Sequence, residues 1–333
     1  MRTVDWRELY ASNRAVIERA GLRPGLGPAP LAETTSIVAG RTRRTVVHAP
    51  ANLEPGIAAP LVCMLHGCTQ DAASFAAATR MNEAADRHGF IAVYPQQDRG
   101  ENAQCCWNWF ERRHQARGAG EPASIAAVVR ELIGTTSGLT IDPRRVFVAG
   151  LSAGGAMAAI LAATYPDLFA AVAVHSGLAY GSATGVAGAF KAMARGVGDP
   201  GACGRAAHAA MGELARPVPS LVIHGSADRT VAAVNGEQVL AQSMAANRLA
   251  APETCDAELA RPAATERGQV RGGHAYEHAR WTDRRGALMH EWLTVEGMGH
   301  AWSGGAPGAS YTDPRGPDAS EAIWRFFSQV GVG

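Results

Sequence analysis

A serine framed by glycines is the residue in this chain whose setting best suits nucleophilic chemistry. Gly150-Leu-Ser-Ala-Gly154 matches the pattern G-x-S-x-G. The apolar run Val146–Ala149 leads into it, and a stretch rich in alanine follows. This order predicts a strand, a sharp turn and a helix, with Ser152 presented at the turn. The pentapeptide alone is a weak signal, and the alternative is an ordinary glycine-rich turn that happens to contain a serine.

A serine hydroxyl attacks a carbonyl only when a base removes its proton and a carboxylate orients that base. Asp228 follows the apolar run Leu221–Ile223 and a glycine turn, 76 residues after Ser152, and His300 comes 72 residues later. The chain order serine, acid, histidine is the one that goes with a strand–turn–helix nucleophile. The sequence therefore predicts the triad Ser152, Asp228 and His300. His224 is the competing base, but its place at a strand end favours a structural hydrogen bond.

Backbone amides must also stabilise the oxyanion that forms when the serine attacks. One donor is usually the amide after the nucleophile, which here is Ala153. The other comes from a loop after an early strand, and the apolar run Leu61–Leu65 is followed by His66-Gly67-Cys68. The amides of Ala153 and Cys68 are the predicted pair. A plain strand-to-helix turn is the alternative for the second loop.

Three tryptophans lie near these motifs in the sequence. Trp107 and Trp109 follow the predicted oxyanion loop, and Trp302 comes two residues after His300. Each one taken alone is more often a packing residue. Together they are candidate walls of an apolar cleft that binds substrate, with Trp302 expected to face the cleft.

Metal chemistry finds little support. His274 and His278 have a spacing that can bind a metal, but they fall in a predicted hairpin strand. The pair His290-Glu291 lacks the second histidine of a zinc peptidase motif. We therefore expect no metal and no cofactor.

The composition limits the classes of partner that the protein is expected to bind. With 333 residues, 31 basic and 30 acidic side chains and a net charge of +1, the chain offers no electrostatic field to nucleic acid or an anionic membrane. Its single lysine, Lys191, does not stand in a phosphate-binding loop. The longest apolar run, Ala153–Ala163, is too short to span a bilayer. The N-terminus lacks the apolar segment of a signal peptide, so we expect a cytoplasmic location, or secretion if a leader had been trimmed.

Short apolar runs alternate with helix-length segments along the chain. Helices are predicted at Ser74–His88, Ser124–Thr135 and Ala153–Tyr165. This alternation predicts an α/β fold with a mostly parallel central sheet covered by helices on both faces. The predicted strands are Thr45–His48, Leu61–Leu65, Phe90–Tyr94, Val146–Ala149, Ala171–Val174, Leu221–Ile223 and Leu293–Val295.

Two units are predicted. Residues 1–32 form an N-terminal helical arm and a Pro/Gly linker, and residues 33–333 form a single domain that carries the chemistry. Two stretches interrupt the alternation, near residues 178–216 and 245–273. We expect both to lie over the end of the sheet where ligands bind.

Taken together, the motifs resemble those of the poly(3-hydroxybutyrate) depolymerase family, esterases with the α/β-hydrolase fold. The resemblance covers about residues 45 to 328 and rests on seven segments in the family's order. These are Leu65-His-Gly-Cys-Thr-Gln70, Cys106-Trp-Asn-Trp109, Gly120-Glu-Pro-Ala-Ser124, Gly150-Leu-Ser-Ala-Gly-Gly-Ala156, His224-Gly-Ser-Ala-Asp228, Gly297-Met-Gly-His-Ala-Trp-Ser-Gly-Gly305 and Gly316-Pro-Asp-Ala-Ser320.

The resemblance implies hydrolysis of polyhydroxyalkanoate or related esters, with the same triad and oxyanion amides. Feruloyl and acetyl-xylan esterases are similar, so a polysaccharide or short-chain acyl esterase is the alternative, and a non-catalytic binding protein is disfavoured. Secreted members usually carry a signal peptide and a separate polymer-binding domain. We expect neither here, and therefore expect action on amorphous granules or oligomers. The sequence predicts no oligomeric state.

The resemblance also implies a disulfide. Family members place Cys68 and Cys106 beside the active site, so we expect them to pair in an oxidising compartment. Cys105 is the alternative partner, and free thiols are expected in a reducing cytosol. Cys63 lies inside an apolar run, where a buried thiol acts as a small hydrophobic residue.

Overall fold

A ten-stranded sheet forms the centre of the protein. The computed structural model describes residues 32–38, 41–54, 56–134 and 140–330. The strand order in the sheet is β1-β2-β4-β3-β5-β6-β7-β10-β9-β8, and a separate pair is formed by β11 and β12. The strands are β1 (Ala32–Val38), β2 (Arg41–His48), β3 (Ala58–Leu65), β4 (Ile91–Pro95), β5 (Thr140–Leu151), β6 (Ala171–His175), β7 (Ser220–Gly225), β8 (Ala264–Gln269), β9 (Ala275–Thr282), β10 (Leu288–Val295), β11 (Trp302–Ser303) and β12 (Thr312–Asp313).

Six neighbouring strands, from β4 through β3, β5, β6 and β7 to β10, run parallel. The two strands at each edge pair antiparallel with their neighbours. Parallel strands need crossover connections, which bury both faces of the sheet. The predicted α/β fold with a mostly parallel sheet is therefore confirmed.

Helices cover both faces of this sheet. They are α1 (Ala72–Thr79), α2 (Met81–His88), α3 (Gly120–Ile133), α4 (Ala153–Thr164), α5 (Gly185–Arg195), α6 (Pro200–Met211), α7 (Val234–Ala250) and α8 (Ala319–Val330). Side chains of α3 to α7 join one hydrophobic core, and those of α1, α2 and α8 join the other. Strand β3 contributes side chains to both cores, because Leu61 and Cys63 face the first core while Val62 and Met64 face the second.

Several predicted elements differ in detail. The segment predicted as one helix, Ser74–His88, is two helices, because Arg80 adopts a left-handed conformation with φ of 58° and ends α1. The stretch 178–216 contains α5 and α6. The stretch 245–273 holds the last residues of α7 and the edge strand β8. The predicted arm, residues 1–32, lies outside the described residues except for Ala32.

None of the helices within the described ranges combines the length and the hydropathy needed to cross a bilayer. The carboxyl ends of β3, β5, β7 and β10 meet at one edge of the sheet. Because polar loops leave the sheet at that edge, ligands of open parallel sheets bind there.

One contribution to the acid sensitivity of this fold comes from His290, a fully buried residue of β10. Its Nδ1 lies 2.8 Å from Ser220 Oγ, and burial lowers the pKa of the imidazole to about 3. The native state stays neutral at His290 down to that pH, whereas the unfolded chain takes up a proton near pH 6.5. The unfolded state therefore binds more protons between these values, and stability falls as the pH falls, by up to about 1.4 kcal/mol per pH unit.

We expect His290→Asn to reduce the slope of the unfolding free energy against pH between pH 3 and 6.5, as measured by urea denaturation at several pH values. The absolute stability at pH 7 should fall as well. His208→Asn, a change at a partly exposed histidine of α6, is the control and should keep the wild-type slope. A His290→Asn slope equal to that of the wild type would contradict this account.

Candidate active site

Ser152 occupies a strained turn between β5 and α4. Its backbone has φ of 57° and ψ of −119°, which L-residues rarely adopt, and its amide donates to His175 O at 2.9 Å. A Cβ at Gly154 would overlap the carbonyl oxygens of Leu65 and His66. Only glycine therefore permits this approach, which brings the serine turn against the end of β3.

Asp228 and His300 contact each other from loops that follow two later strands of the sheet. Asp228 follows β7, and His300 lies in the loop after β10. The His300 Nδ1 atom lies 2.7 Å from Asp228 Oδ2. Because a carboxylate only accepts, Nδ1 donates to it, and Nε2 lies on the far side of the ring. The geometry therefore leaves Nε2, the nitrogen that could act as a base, free of Asp228.

The carboxylate of Asp228 is surrounded by four N–H groups. Its Oδ1 accepts the amides of Thr230 and Val231, both at 2.9 Å. Its Oδ2 lies 3.4 Å from His224 Nε2 as well as close to His300. Burial by itself would raise the pKa of Asp228, but the hydrogen bonds from His224, His300 and Val231 and the charge of His300 hold it well below its usual range. Asp228 is thus a stable anion that can orient an imidazole.

His224 is buried, and a hydrogen bond holds it to the turn that follows β7. Its Nε2 donates to Val231 O at 2.9 Å, which fixes the proton on that nitrogen. Its Nδ1 is enclosed and has no hydrogen-bond partner among the described residues. His224 does not line the cavity that Ser152 and His300 share. The structure therefore brings His300, not His224, to the serine.

Two backbone amides are available beside Ser152. Ala153 is the first residue of α4, where an amide has no partner within the helix. In the loop after β3, Gly67 N donates to Gln70 Oε1, and Thr69 N donates to Gln104 O. Cys68 N, between them, has no acceptor among the described residues. The amides of Ala153 and Cys68 thus remain free for a ligand, as the predicted oxyanion hole requires.

A disulfide tethers the loop that carries Cys68. Cys68 bonds to Cys106, which confirms the pairing that the resemblance implied. Cys105, the alternative partner, is a free and buried thiol. Cys63 is also free, lies in the core, and has its thiol pKa raised by burial. The bridge joins the oxyanion loop to the segment that follows β4.

A buried carboxylate anchors that segment from behind. Glu121, fully buried at the start of α3, accepts Asn108 N at 2.8 Å and Asn108 Nδ2 at 2.7 Å. Gln97 Nε2 donates to it at 2.6 Å and also donates to Cys106 O at 2.9 Å. Glu121 belongs to one of the seven segments that carry the family resemblance, but the sequence alone did not indicate what this residue does. Its function is to hold the loop on which Cys106 sits.

Ser152 and His300 line one cavity of about 160 Å³. The lining also includes residues to which the sequence assigned no role, among them Met193 of α5, Gln70 of the oxyanion loop, and Tyr311. Gln70 Nε2 donates to Ser310 O at 3.3 Å. Its place in the motif after Cys68 is a signal that could have found it. No motif marks Met193 or Tyr311, which reach the cavity only through the fold.

The tryptophan prediction is wrong. Trp302 is 1% exposed and stacks on His175, with ring centroids 4.9 Å apart, while Phe75 meets it edge-on. Trp107 is fully buried, and its indole donates to His66 O at 3.1 Å; Trp109 packs in the same core. None of the three lines the cavity. Their large apolar surface is used to support the two loops from inside.

The stretch 178–216 reaches the cavity through Met193, as expected. No described residue of the stretch 245–273 lines it. The expectation for that stretch is wrong, because β8 lies at the far edge of the sheet. Within the described ranges, no group of three or more His, Cys, Asp or Glu side chains has the arrangement of a metal site. His278, one of the histidines considered for metal binding, instead lies 2.9 Å from Glu291.

Solved structures share this fold. The acetyl xylan esterase from Aspergillus awamori superposes with a TM-score of 0.71 at 22% identity, over 90% of this chain and 99% of that one. At this identity the match shows the fold alone.

Sequence comparison is more specific. The poly(3-hydroxyalkanoate) depolymerase C of Paucimonas lemoignei is 38% identical over 76% of this chain and 57% of its own length. A probable acetylxylan esterase A of Aspergillus fumigatus is 34% identical over 56% of this chain and 50% of its own length. The chain thus spans about half the length of these relatives. The family model described as Esterase PHB depolymerase matches residues 49–272. The chain belongs to the PHB depolymerase esterase family.

Proposed function

We propose that the protein is a serine carboxylesterase that hydrolyses the ester bonds of 3-hydroxyalkanoate polyesters or their oligomers. One observation carries the proposal: Ser152, on a strained turn, shares a cavity with a histidine that Asp228 orients at 2.7 Å. This is the arrangement that activates a serine as a nucleophile. The similarity to a poly(3-hydroxyalkanoate) depolymerase supports the polyester as substrate.

The proposed reaction has two steps. His300 Nε2 takes the proton from Ser152 Oγ as the oxygen bonds to the ester carbonyl carbon, and the amides of Cys68 and Ala153 receive the resulting oxyanion. The carbon–oxygen bond to the alcohol then breaks, and the alcohol leaves with the proton from His300. Water, deprotonated by His300, attacks the acyl-enzyme and releases the acid, which restores the serine. No step requires a metal or a cofactor.

The lining of the cavity supports an apolar acyl group. Leu151, Met193 and Tyr311 surround the space in front of Ser152. A 3-hydroxybutyrate unit carries a methyl group and no charge within the chain, so burying it against these side chains costs no desolvation of an ion.

A second candidate is an esterase for acylated plant polysaccharide, either acetylated or feruloylated. The similarity to an acetylxylan esterase supports it. The experiment that separates the candidates compares kcat/KM for 3-hydroxybutyrate oligomers with that for acetylated xylan and for a ferulate ester. We expect the oligomers to be preferred, and a preference for either of the others would overturn the polyester assignment.

The disulfide is relevant to the cellular compartment in which the protein is located. Structural disulfides persist in oxidising compartments and are rare in a reducing cytosol. The cytoplasmic location stays a prediction, and the Cys68–Cys106 bridge supports its alternative, an oxidising compartment. Thiol trapping of the protein in its own cells, followed by mapping of Cys68, tests this directly.

Ser152→Ala should abolish ester hydrolysis while the fold persists, because it removes only the attacking oxygen. We expect kcat for p-nitrophenyl butyrate to fall by about 10⁴- to 10⁶-fold, with the Tm unchanged. A variant that keeps a tenth of the wild-type rate would reject Ser152 as the nucleophile, and an inactive wild type would favour a binding protein.

His300→Ala and His224→Ala form a matched pair. Loss of His300 removes the proposed base, and we expect a decrease in kcat similar to that of Ser152→Ala. Loss of His224 removes only one of the donors that surround Asp228, so we expect a decrease of about 10²-fold at most. Steady-state kinetics with p-nitrophenyl butyrate measure both. If His224→Ala were the more damaging change at an unchanged Tm, the assignment of the base would be wrong.

Cys68→Ser/Cys106→Ser tests the bridge. Without it, the Cys68 amide is held less firmly where the oxyanion forms, and we expect kcat to fall by about 10- to 100-fold with little change in KM. Cys203→Ser/Cys255→Ser removes two buried free thiols and should leave kcat near the wild-type value. Full activity in protein whose Cys68 is alkylated would show that the bridge has no catalytic role.

A further inference from the structure

An apolar stripe runs from the cavity onto the surface of α5. Val186, Phe190 and Met193 are spaced i, i+4 and i+7, so they share one face of the helix. Met193 lines the cavity that contains Ser152. Val186 is 59% exposed and Phe190 is 68% exposed. At a rise of about 1.5 Å per residue, the stripe extends about 10 Å away from the cavity.

The helix that carries this stripe is held firmly. Its buried contacts are made by Ala189 and Ala192, which lie on the face next to the stripe and belong to the core. Met193 O accepts Ala232 N at 2.8 Å, from the loop that also holds Asp228, and Asn235 Nδ2 at 3.1 Å, from the first turn of α7. The exposure of Val186 and Phe190 is therefore a feature of a well-anchored helix and not of a loose segment.

The stripe carries no charge. Lys191 and Arg195, the charged residues of α5, lie about 140° and 180° around the helix from Val186 at 100° per residue, and α5 has no acidic residue. Another exposed apolar side chain belongs to the same cavity. Tyr311 lines it and is 44% exposed.

Clustering makes these side chains unusual. Single exposed apolar residues are common on protein surfaces, whereas a contiguous group marks a binding surface. Among the seven large apolar side chains that the described part of the chain exposes, Tyr311 lines this cavity, and Val186 and Phe190 share a helix face with Met193, which also lines it. The seven are Ile57, Val186, Phe190, Leu214, Val234, Leu249 and Tyr311.

We propose that the stripe of Val186, Phe190 and Met193 binds the uncharged, methyl-bearing units of a polyester chain that continue beyond the ester held at Ser152. This inference rests on the proposed function and specifies where the rest of the substrate lies. Continuity with the cavity and the absence of charge favour a polyester over a polysaccharide, whose hydroxyl groups need polar partners. Val186 and Phe190 are positioning residues, since they lie away from the reacting atoms.

The test compares two double variants that each remove two exposed apolar side chains. Val186→Ser/Phe190→Ser alters the stripe. Ile57→Ser/Leu249→Ser is the control, since Ile57 precedes β3 at the opposite end of the strands and Leu249 lies near the far end of α7. Each pair is made in the otherwise native chain and again with Ser152→Ala, so that binding is measured without hydrolysis.

Adsorption to amorphous poly(3-hydroxybutyrate) particles is measured with the Ser152→Ala forms. Three activities are measured with the active forms: clearing of those particles, turnover of p-nitrophenyl butyrate, and turnover of acetylated xylan. We expect the stripe variant to lose about tenfold or more in both adsorption and clearing. Its turnover of the two other substrates should stay within about twofold, and the control should match the wild type in every measurement.

Several results would overturn the inference. Unchanged adsorption of the stripe variant would do so, as would an equal loss in the control or a parallel loss on acetylated xylan. A lowered Tm, or dissociation of a wild-type oligomer on gel filtration, would show that protein covers the stripe. If the wild type adsorbed to the particles through the stripe but did not hydrolyse them, the proposed function would be wrong and the proposed binding surface would be supported.

Discussion

The contact between the serine turn and the end of β3 is the constraint on which the site depends. Gly154 packs against the carbonyl oxygens of Leu65 and His66 so closely that no side chain fits between them. Strands β3 and β5 are neighbours in register, with Leu65 opposite Gly150, so both loops leave the sheet at the same level. A nucleophile and an oxyanion loop that are far apart in the sequence thereby become adjacent. The left-handed backbone of Ser152 is held by this packing, which is how proteins maintain strained residues at functional positions.

The oxyanion loop is supported by polar groups buried beneath it. Glu121 lies in the interior and would be costly there as an unpaired carboxylate, but Asn108 and Gln97 donate to it. Through Gln97, the same network holds the carbonyl of Cys106, whose disulfide reaches Cys68. A network in which every member is satisfied makes a core rigid and specific. The position of one backbone amide is thus determined by interactions that begin at the start of α3.

Asp228 combines two tasks in one carboxylate. Its Oδ1 closes the turn after β7 through the amides of Thr230 and Val231, and its Oδ2 orients His300. His224 lies beside the same oxygen and is locked by Val231 O. The acid is therefore rigid because its turn is rigid. This turn also anchors α5 through Met193 O, so the wall of the cavity and the orientation of the base depend on the same segment.

Local patterns were enough to predict the parallel sheet and the chain order of Ser152, Asp228 and His300, because each of these residues follows an apolar strand. They also favoured His300 over His224, and the structure shows why: His300 lines the cavity of Ser152, whereas His224 donates to Val231 O. Which other side chains face the cavity could not be predicted in this way. Trp302 was expected there because it is two residues from His300, yet it packs inward on His175. Met193 and Tyr311 line the cavity although no motif marks them. Patterns along a chain report which residues are apolar, whereas the direction of a side chain in a loop depends on the packing of elements distant in the sequence.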